Sequence, residues 1–340
     1  MKGKPGSSAP VVINARAAVR DELGGVERVS RELVHRLPVL RPERYRVLRP
    51  PPALAHRAGH VWEQTVLPLA ARRARFVLCP ANLAPLAGAD TIVYVHDAAP
   101  LREPAWFGRT YGAWHRAALR AVAARARMLL VPSSFVQREL GDLLGVEAAR
   151  VRVVPPGVDQ RFRPGAAPPP AVAGRRYVLA LGTDSRRKNV ALLDRIAPTL
   201  ASDGLEVVTA GSARGYLTRD ASGVERLGYV PEDELPGLYA NAAVVAMPSL
   251  YEGFGLPCVE AMACGTPVVA SERAALPETC GGGALLADPA DPEGFAAALV
   301  RAAGPERARL RAAGLKRARA LSWERTARLA DAAVEEALGA

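Results

Sequence analysis

The chain has 340 residues, 49% of them hydrophobic, which is room for about two domains at ~150 residues each and material enough for filled cores. It is basic, with a formal net charge of +11, yet only 5% of its residues are aromatic and no nucleic-acid motif is present, which argues against a stacking-based nucleic-acid binder. Cys79, Cys258, Cys264 and Cys280 show no Cys-x-x-Cys or zinc spacing, and no leader pattern or long apolar run occurs, so the expectation is a cytoplasmic protein with reduced thiols, no metal and no membrane span.

The charge is uneven. Up to Gly165 there are 26 Lys+Arg against 13 Asp+Glu; beyond it the balance is 19 against 21. Such asymmetry suggests that the first half meets something anionic: a phosphorylated acceptor, an anionic membrane surface or nucleic acid. An arginine-rich solvated surface set by codon bias is the plainer alternative.

In chain order, Val11-Val12-Ile13-Asn14 reads as a strand. Gly24 and Gly25 follow, opening a helix whose Val26, Val29, Leu33 and Leu37 share a face. Glycines rather than a capping side chain start that helix, which lets a ligand approach the backbone. His56 and His60 read as solvent-facing loop residues, and a helix is expected from Glu63 to Ala71 with Trp62, Val66 and Leu69 inward. Phe76 to Cys79 is a strand ending at Asn82, and Thr91 to Val95 a buried strand ending at His96-Asp97, where open α/β sheets place ligand contacts. A long basic helix from Tyr111, a strand into a helix capped by Ser133 or Ser134, and a strand at Val151–Val154 complete the half. Arg163 to Gly174, rich in Pro, Ala and Gly, reads as a linker.

A second strand series opens at Arg175–Gly182 and leads into Thr183-Asp184-Ser185-Arg186-Arg187-Lys188-Asn189, three adjacent cations after a buried strand. Glu206 to Ser212 and Val224 to Pro231 follow, then a short helix from Leu235. The strand Ala243–Met247 runs into Pro-Ser-Leu-Tyr-Glu-Gly-Phe-Gly-Leu-Pro and then Glu-Ala-Met-Ala-Cys-Gly-Thr-Pro. Pro257 suits the first position of a helix, and Leu256 before it offers no cap, so the amides of Cys258 and Val259 are expected to stand bare. Bare amides and the helix dipole favour an anion such as a phosphate. Glu260 falls in that helix's first turn, eight positions after Glu252. Helices from Asp291, Arg307 and Trp323 end the chain.

Glu252 and Glu260 with their surrounding text resemble the Glu-x7-Glu motif of the large nucleotide-sugar-dependent family of retaining glycosyltransferases, family 4 or group 1. The resemblance covers nearly the whole chain. It implies an α/β GT-B fold: two Rossmann-like domains facing a central cleft, residues 1–165 for the acceptor and 166–322 for the donor, with the final helix, 323–340, packed back on the first. By the same resemblance Glu260 would hold the ribose, Glu252 the sugar hydroxyls, and Arg187 and Lys188 the diphosphate, with Arg186 as rival to Arg187 because Thr183 stands where many members have the arginine. His96 would position the sugar, with Asp97 beside it. Gly24, Gly25, Gly182, Ser212, Val230, Gly253, Phe254, Gly255 and Leu256 would line the donor. The donor would be a UDP, GDP or dTDP sugar and the acceptor a small molecule or saccharide.

No Asp-x-Asp follows a strand, so cations rather than a metal are expected at the diphosphate. The GC-rich-looking composition resembles that of orthosomycin (avilamycin-type) antibiotic transferases; a mannosyl- or glucosyltransferase of cell-surface polysaccharide or glycolipid assembly is the alternative. A sugar-nucleotide epimerase or phosphorylase of similar architecture, and a basic nucleic-acid-binding protein, rank below both.

Overall fold

The computed structural model describes residues 9–20, 24–55, 59–182, 185–211 and 224–339. They form two compact units. One runs up to Gly157 and includes the segment from Trp323 onward; the other is Val158–Ser322.

In the first unit the strands are β1 (Val11–Asn14), β2 (Tyr45–Leu48), β3 (Phe76–Cys79), β4 (Thr91–Tyr94), β5 (Met128–Val131) and β6 (Val151–Val153). All pairs are parallel, in the order β2-β1-β3-β4-β5-β6. β1, β3, β4 and β5 are buried along their whole length, which is why they read as unbroken apolar runs. The helix Ser134–Leu144 starts at Ser133, whose hydroxyl accepts from the Val136 amide at 3.3 Å. The last helix, Trp323–Gly339, packs on the helix Gly25–Leu40 of the same unit. Its buried Asp331 accepts from Tyr45 (2.7 Å) and Arg44 (2.8 Å). Hydrogen bonds of this kind, made to a charge, are worth about 1.5–3 kcal/mol each.

In the second unit the strands are β7 (Tyr177–Leu181), β8 (Glu206–Ala210), β9 (Val224–Arg226), β10 (Val244–Met247), β11 (Val268–Ser271) and β12 (Leu285–Ala287). All are parallel, in the order β12-β11-β10-β7-β8-β9. This is the doubly wound Rossmann order, and the direction of winding reverses between β7 and β10. In open α/β sheets the crevice outside the carboxyl ends at such a reversal is where ligands bind.

Two expectations need correcting. Residues 158–165 lie with the second unit: Val158 bridges to Ser322, and Phe162 is buried in that unit's core against Tyr239. The helix expected from Glu63 begins at Gly59, so His60 is helical and not in a loop; its ring meets Trp114 edge-on at 5.1 Å. The buried face is Trp62, Glu63 and Leu67, whereas Val66 (43%) and Leu69 (67%), expected inward, are exposed. His56 lies outside the described residues.

Candidate active site

The reversal point of the second sheet brings together Arg187, Lys188 and Glu252. β7 leaves through Gly182, whose φ of +146° disfavours a side chain; a Cβ there would stand 3.1 Å from Lys188 Cε. A single 3-10 turn, Arg186–Lys188, follows. Asn189, left-handed at φ 51°, closes that turn and donates to the Pro248 carbonyl beyond β10 (3.2 Å) and to that of Pro289 (3.3 Å). The Leu250 amide donates to the Arg187 carbonyl at 2.8 Å. The two strand exits are thereby stitched together, and a pocket lies there against Gly182, Lys188, Thr209, Pro248 and Ser249.

The stitching sets the cations on Glu252. Lys188 Nζ donates to Glu252 Oε1 at 2.7 Å, and Arg187 lies 3.7 Å from Oε2. Glu252 is buried, and burial alone would raise its carboxyl. Lys188 and then Arg187 outweigh burial and hold it below the usual carboxylate range. Arg186, the rival, points to solvent.

The next helix is Leu256–Ala263, with Gly255 before it at φ +100°, where a Cβ would come within 2.6 Å of Leu276 Cδ2. Pro257 therefore stands second in the helix, not first. The bare amides are shifted accordingly. Cys258 donates to the Gly255 carbonyl at 3.0 Å and is not bare as expected, whereas the amides of Gly255 and Leu256 have no acceptor among the described residues. No side chain caps this end, so the positive end of the dipole is uncovered. Glu260 opens the second turn, not the first. It is buried and accepts from the Tyr239 hydroxyl at 2.7 Å. Phe254 is buried and its carbonyl accepts from Thr279; Val230 packs at the edge of the same core. Gly253 lies in the loop that joins Glu252 to Phe254.

In the first unit His96 follows β4. Its amide donates to Asn82 Oδ1 (2.7 Å) and its Nε2 lies 2.8 Å from the Pro80 carbonyl, both residues just beyond β3. Since a carbonyl only accepts, Nε2 carries the proton and Nδ1 is the acceptor. Burial pushes the imidazole pKa down, against Pro80, Asp97 and Glu27, so the ring is held neutral. The Pro80 carbonyl thus orients the ring, and Asp97 beside it accepts the Ala99 amide at Oδ1 (3.1 Å). Gly24 does precede the helix Gly25–Leu40, but its amide donates to Glu27 Oε2 at 3.2 Å, so a side chain three residues on does reach back to this end.

Ser212 and Thr183 lie outside the described residues. Among the described residues no three His, Cys, Asp or Glu side chains gather as a metal-binding group. Tyr239, Asn189 and the Pro80 carbonyl were not singled out from sequence. For Tyr239 a signal existed: a tyrosine among apolar helix residues needs a partner for its hydroxyl once buried.

Comparison with known proteins bears on the whole chain. Residues 23–162 match the family model "Glycosyltransferase Family 4" and residues 175–304 match "Glycosyl transferases group 1". An O-antigen chain mannosyltransferase B of Escherichia coli is 31% identical, over 58% of this chain and 58% of that protein. A D-inositol 3-phosphate glycosyltransferase of Mycolicibacterium vanbaalenii is 33% identical, over 60% of this chain and 52% of that protein. The chain thus spans a little over half the length of these curated relatives. Among solved structures, sucrose-phosphate synthase from Thermosynechococcus elongatus superposes with a TM-score of 0.76 at 20% identity, covering 96% of this chain and 98% of that one. Anabaena HepE, in complex with UDP and glucose, superposes at 0.72 and 17% identity, covering 96% and 99%. At such identities these superpositions establish the fold, the two-domain α/β fold of the GT-B glycosyltransferases. With one family model on each half, the chain belongs to the group 1, family 4 glycosyltransferases.

Proposed function

We propose that this chain is a retaining glycosyltransferase that moves a sugar from a nucleoside diphosphate sugar to an acceptor hydroxyl, without a metal at the diphosphate. One observation carries the reading: at the reversal point of the second sheet, Lys188 and Arg187 meet Glu252 close in sequence to the unused amides of Gly255 and Leu256. Breaking the bond from sugar carbon to diphosphate puts negative charge on the leaving group. Fixed cations and amides stabilise that charge where it develops. Lys188 exchanges Glu252 for a phosphate oxygen, and the ionised Glu252 turns to the donor's sugar hydroxyls. Glu260 takes hydroxyls of the ribose. Neutral His96 offers Nδ1 to a sugar hydroxyl. The acceptor oxygen bonds to the anomeric carbon on the face from which the diphosphate leaves, which keeps the anomeric configuration, and the departing phosphate, rather than a protein base, takes the acceptor's proton.

Supporting relatives include a protein named as an O-antigen chain mannosyltransferase and another named for inositol 3-phosphate, while a structural neighbour was solved with UDP and glucose. They favour the cell-surface saccharide or glycolipid acceptor over the antibiotic oligosaccharide, which rests on composition and sequence resemblance alone. Among the described residues no helix is long and apolar enough to cross a membrane. The basic first half would meet a phosphorylated acceptor or an anionic lipid surface by charge alone.

The test is transfer assayed with UDP-, GDP- and dTDP-sugars in the presence of a chelator, with NMR of the product's anomeric centre. Retained configuration and a rate within about twofold of the unchelated one are expected. An inverted product would contradict retention, and chelator loss restored by a divalent cation would contradict the metal-independent site.

A further inference from the structure

We propose that Tyr239 is a positioning residue that makes Glu260 select ribose over 2′-deoxyribose, so that the donor is a UDP or GDP sugar and not a dTDP sugar. This rests on the reading of Glu260 as the ribose ligand. Three observations support it.

The Tyr239 hydroxyl donates to Glu260 Oε2 at 2.7 Å, and both residues are buried. Tyr239 is itself fixed from two further sides. Its ring packs edge-on against Phe162, 5.7 Å between centroids, and its carbonyl accepts from Thr266 Oγ1 at 2.7 Å. Thr266 follows the helix Leu256–Ala263 that carries Glu260. The helix Leu235–Asn241 is thereby tied to the end of the helix Leu256–Ala263 through one residue, and the hydroxyl of that residue donates to the Glu260 carboxylate.

A carboxylate free to rotate can satisfy one hydroxyl as well as two. A carboxylate held by a rigid donor presents its remaining lone pairs in one arrangement, suited to the adjacent 2′ and 3′ hydroxyls. A nucleotide lacking the 2′ hydroxyl leaves part of a buried charge unpaired. Losing a hydrogen bond to a charged group costs roughly 10- to 100-fold in affinity.

The experiment is calorimetric titration of UDP against 2′-deoxy-UDP, and of GDP against 2′-deoxy-GDP, into the wild-type chain, Tyr239→Phe and Glu260→Gln. No acceptor is needed. In wild type the matching ribonucleotide binds roughly 10- to 100-fold tighter than its deoxy form. Tyr239→Phe weakens the ribonucleotide and leaves the deoxy form unchanged, so the ratio falls to a few-fold. A wild-type ratio near one overturns the proposal without any variant. Equal weakening of both nucleotides in Tyr239→Phe assigns the tyrosine to packing alone and also overturns it, as does an unchanged ratio. If Glu260→Gln keeps the full wild-type ratio, the ribose reading of Glu260 fails. If no nucleotide binds wild type, the donor reading fails, and this proposal with it.

Discussion

Each sheet sets a buried carboxylate against a cation close to the exit of its first strand, and the two pairs differ in exposure. In the first unit Arg16, just past β1, lies 3.2 Å from Glu63, with side chains 5% and 0% exposed; Asn14 donates to the same Glu63 oxygen at 2.6 Å. In the second, Lys188 past β7 holds Glu252 at 2.7 Å, with side chains 13% and 8% exposed, and Arg187 beside them is 28% exposed. The first pair is sealed. The second borders a pocket and lies near uncapped amides. A sealed pair cannot trade partners without leaving a charge unpaired in the interior, whereas an accessible pair can exchange a carboxylate for an incoming phosphate. The comparison therefore separates a charge pair that holds structure from one that waits for a ligand.

The largest expected effect breaks the sealed pair. Glu63→Ala leaves Arg16 buried without its carboxylate and lowers stability by about 3–5 kcal/mol, measured by denaturant unfolding; a loss under about 1 kcal/mol would mean that water already reaches the pair. Breaking the accessible pair acts on rate instead. Lys188→Ala is expected to lower the transfer rate by about 10²- to 10³-fold, and to lower the melting temperature less than Glu63→Ala does, because Arg187 stays beside Glu252. A large fall in melting temperature with the rate preserved would reverse the assignment of the two pairs.

A pH series sharpens the contrast further. The Glu252 carboxyl is held below its ordinary value in the folded chain. The stability it contributes is thus complete above the unfolded carboxylate range, about pH 4.3, and is lost as pH falls through the lower folded value. Glu252→Gln should flatten the acid limb of melting temperature against pH; an identical limb in both proteins would show that the pair contributes nothing there. The smallest effect is expected from Arg186→Ala, since Arg186 faces solvent: transfer stays within about twofold. A loss comparable with that of Lys188→Ala would move the diphosphate arginine from position 187 to 186.

Much of the architecture was legible because parallel strands buried on both faces leave apolar runs such as Val244–Met247 and Thr91–Tyr94. The Glu252–Glu260 text located one loop and one helix, and the cations of 186–188 were visible as a cluster. What composition and spacing hid was mostly geometric. The helix Ala191–Ser202 is not signalled by a capping side chain, and Pro198 on its exposed side reads as a helix breaker. The inward face of the helix Gly59–Ala70 was misread because Val66 and Leu69 are apolar yet exposed, while the buried face carries the charged Glu63. The bare amides fell at Gly255 and Leu256 rather than Cys258 because a glycine with positive φ sets the helix entry, and φ is not written in the residue type. The partner of His96 proved to be a backbone carbonyl, that of Pro80, which no side-chain pattern announces.

The central claim is that a nucleoside diphosphate settles on Lys188, Arg187 and the uncovered start of the helix Leu256–Ala263. Hydrogen–deuterium exchange followed residue by residue, with and without UDP or GDP, tests it most directly. Protection of the Gly255 and Leu256 amides, together with the turn at 186–188, is the predicted result. Saturating nucleotide that leaves those amides exchanging at their free rate, with protection elsewhere in the chain, would contradict it.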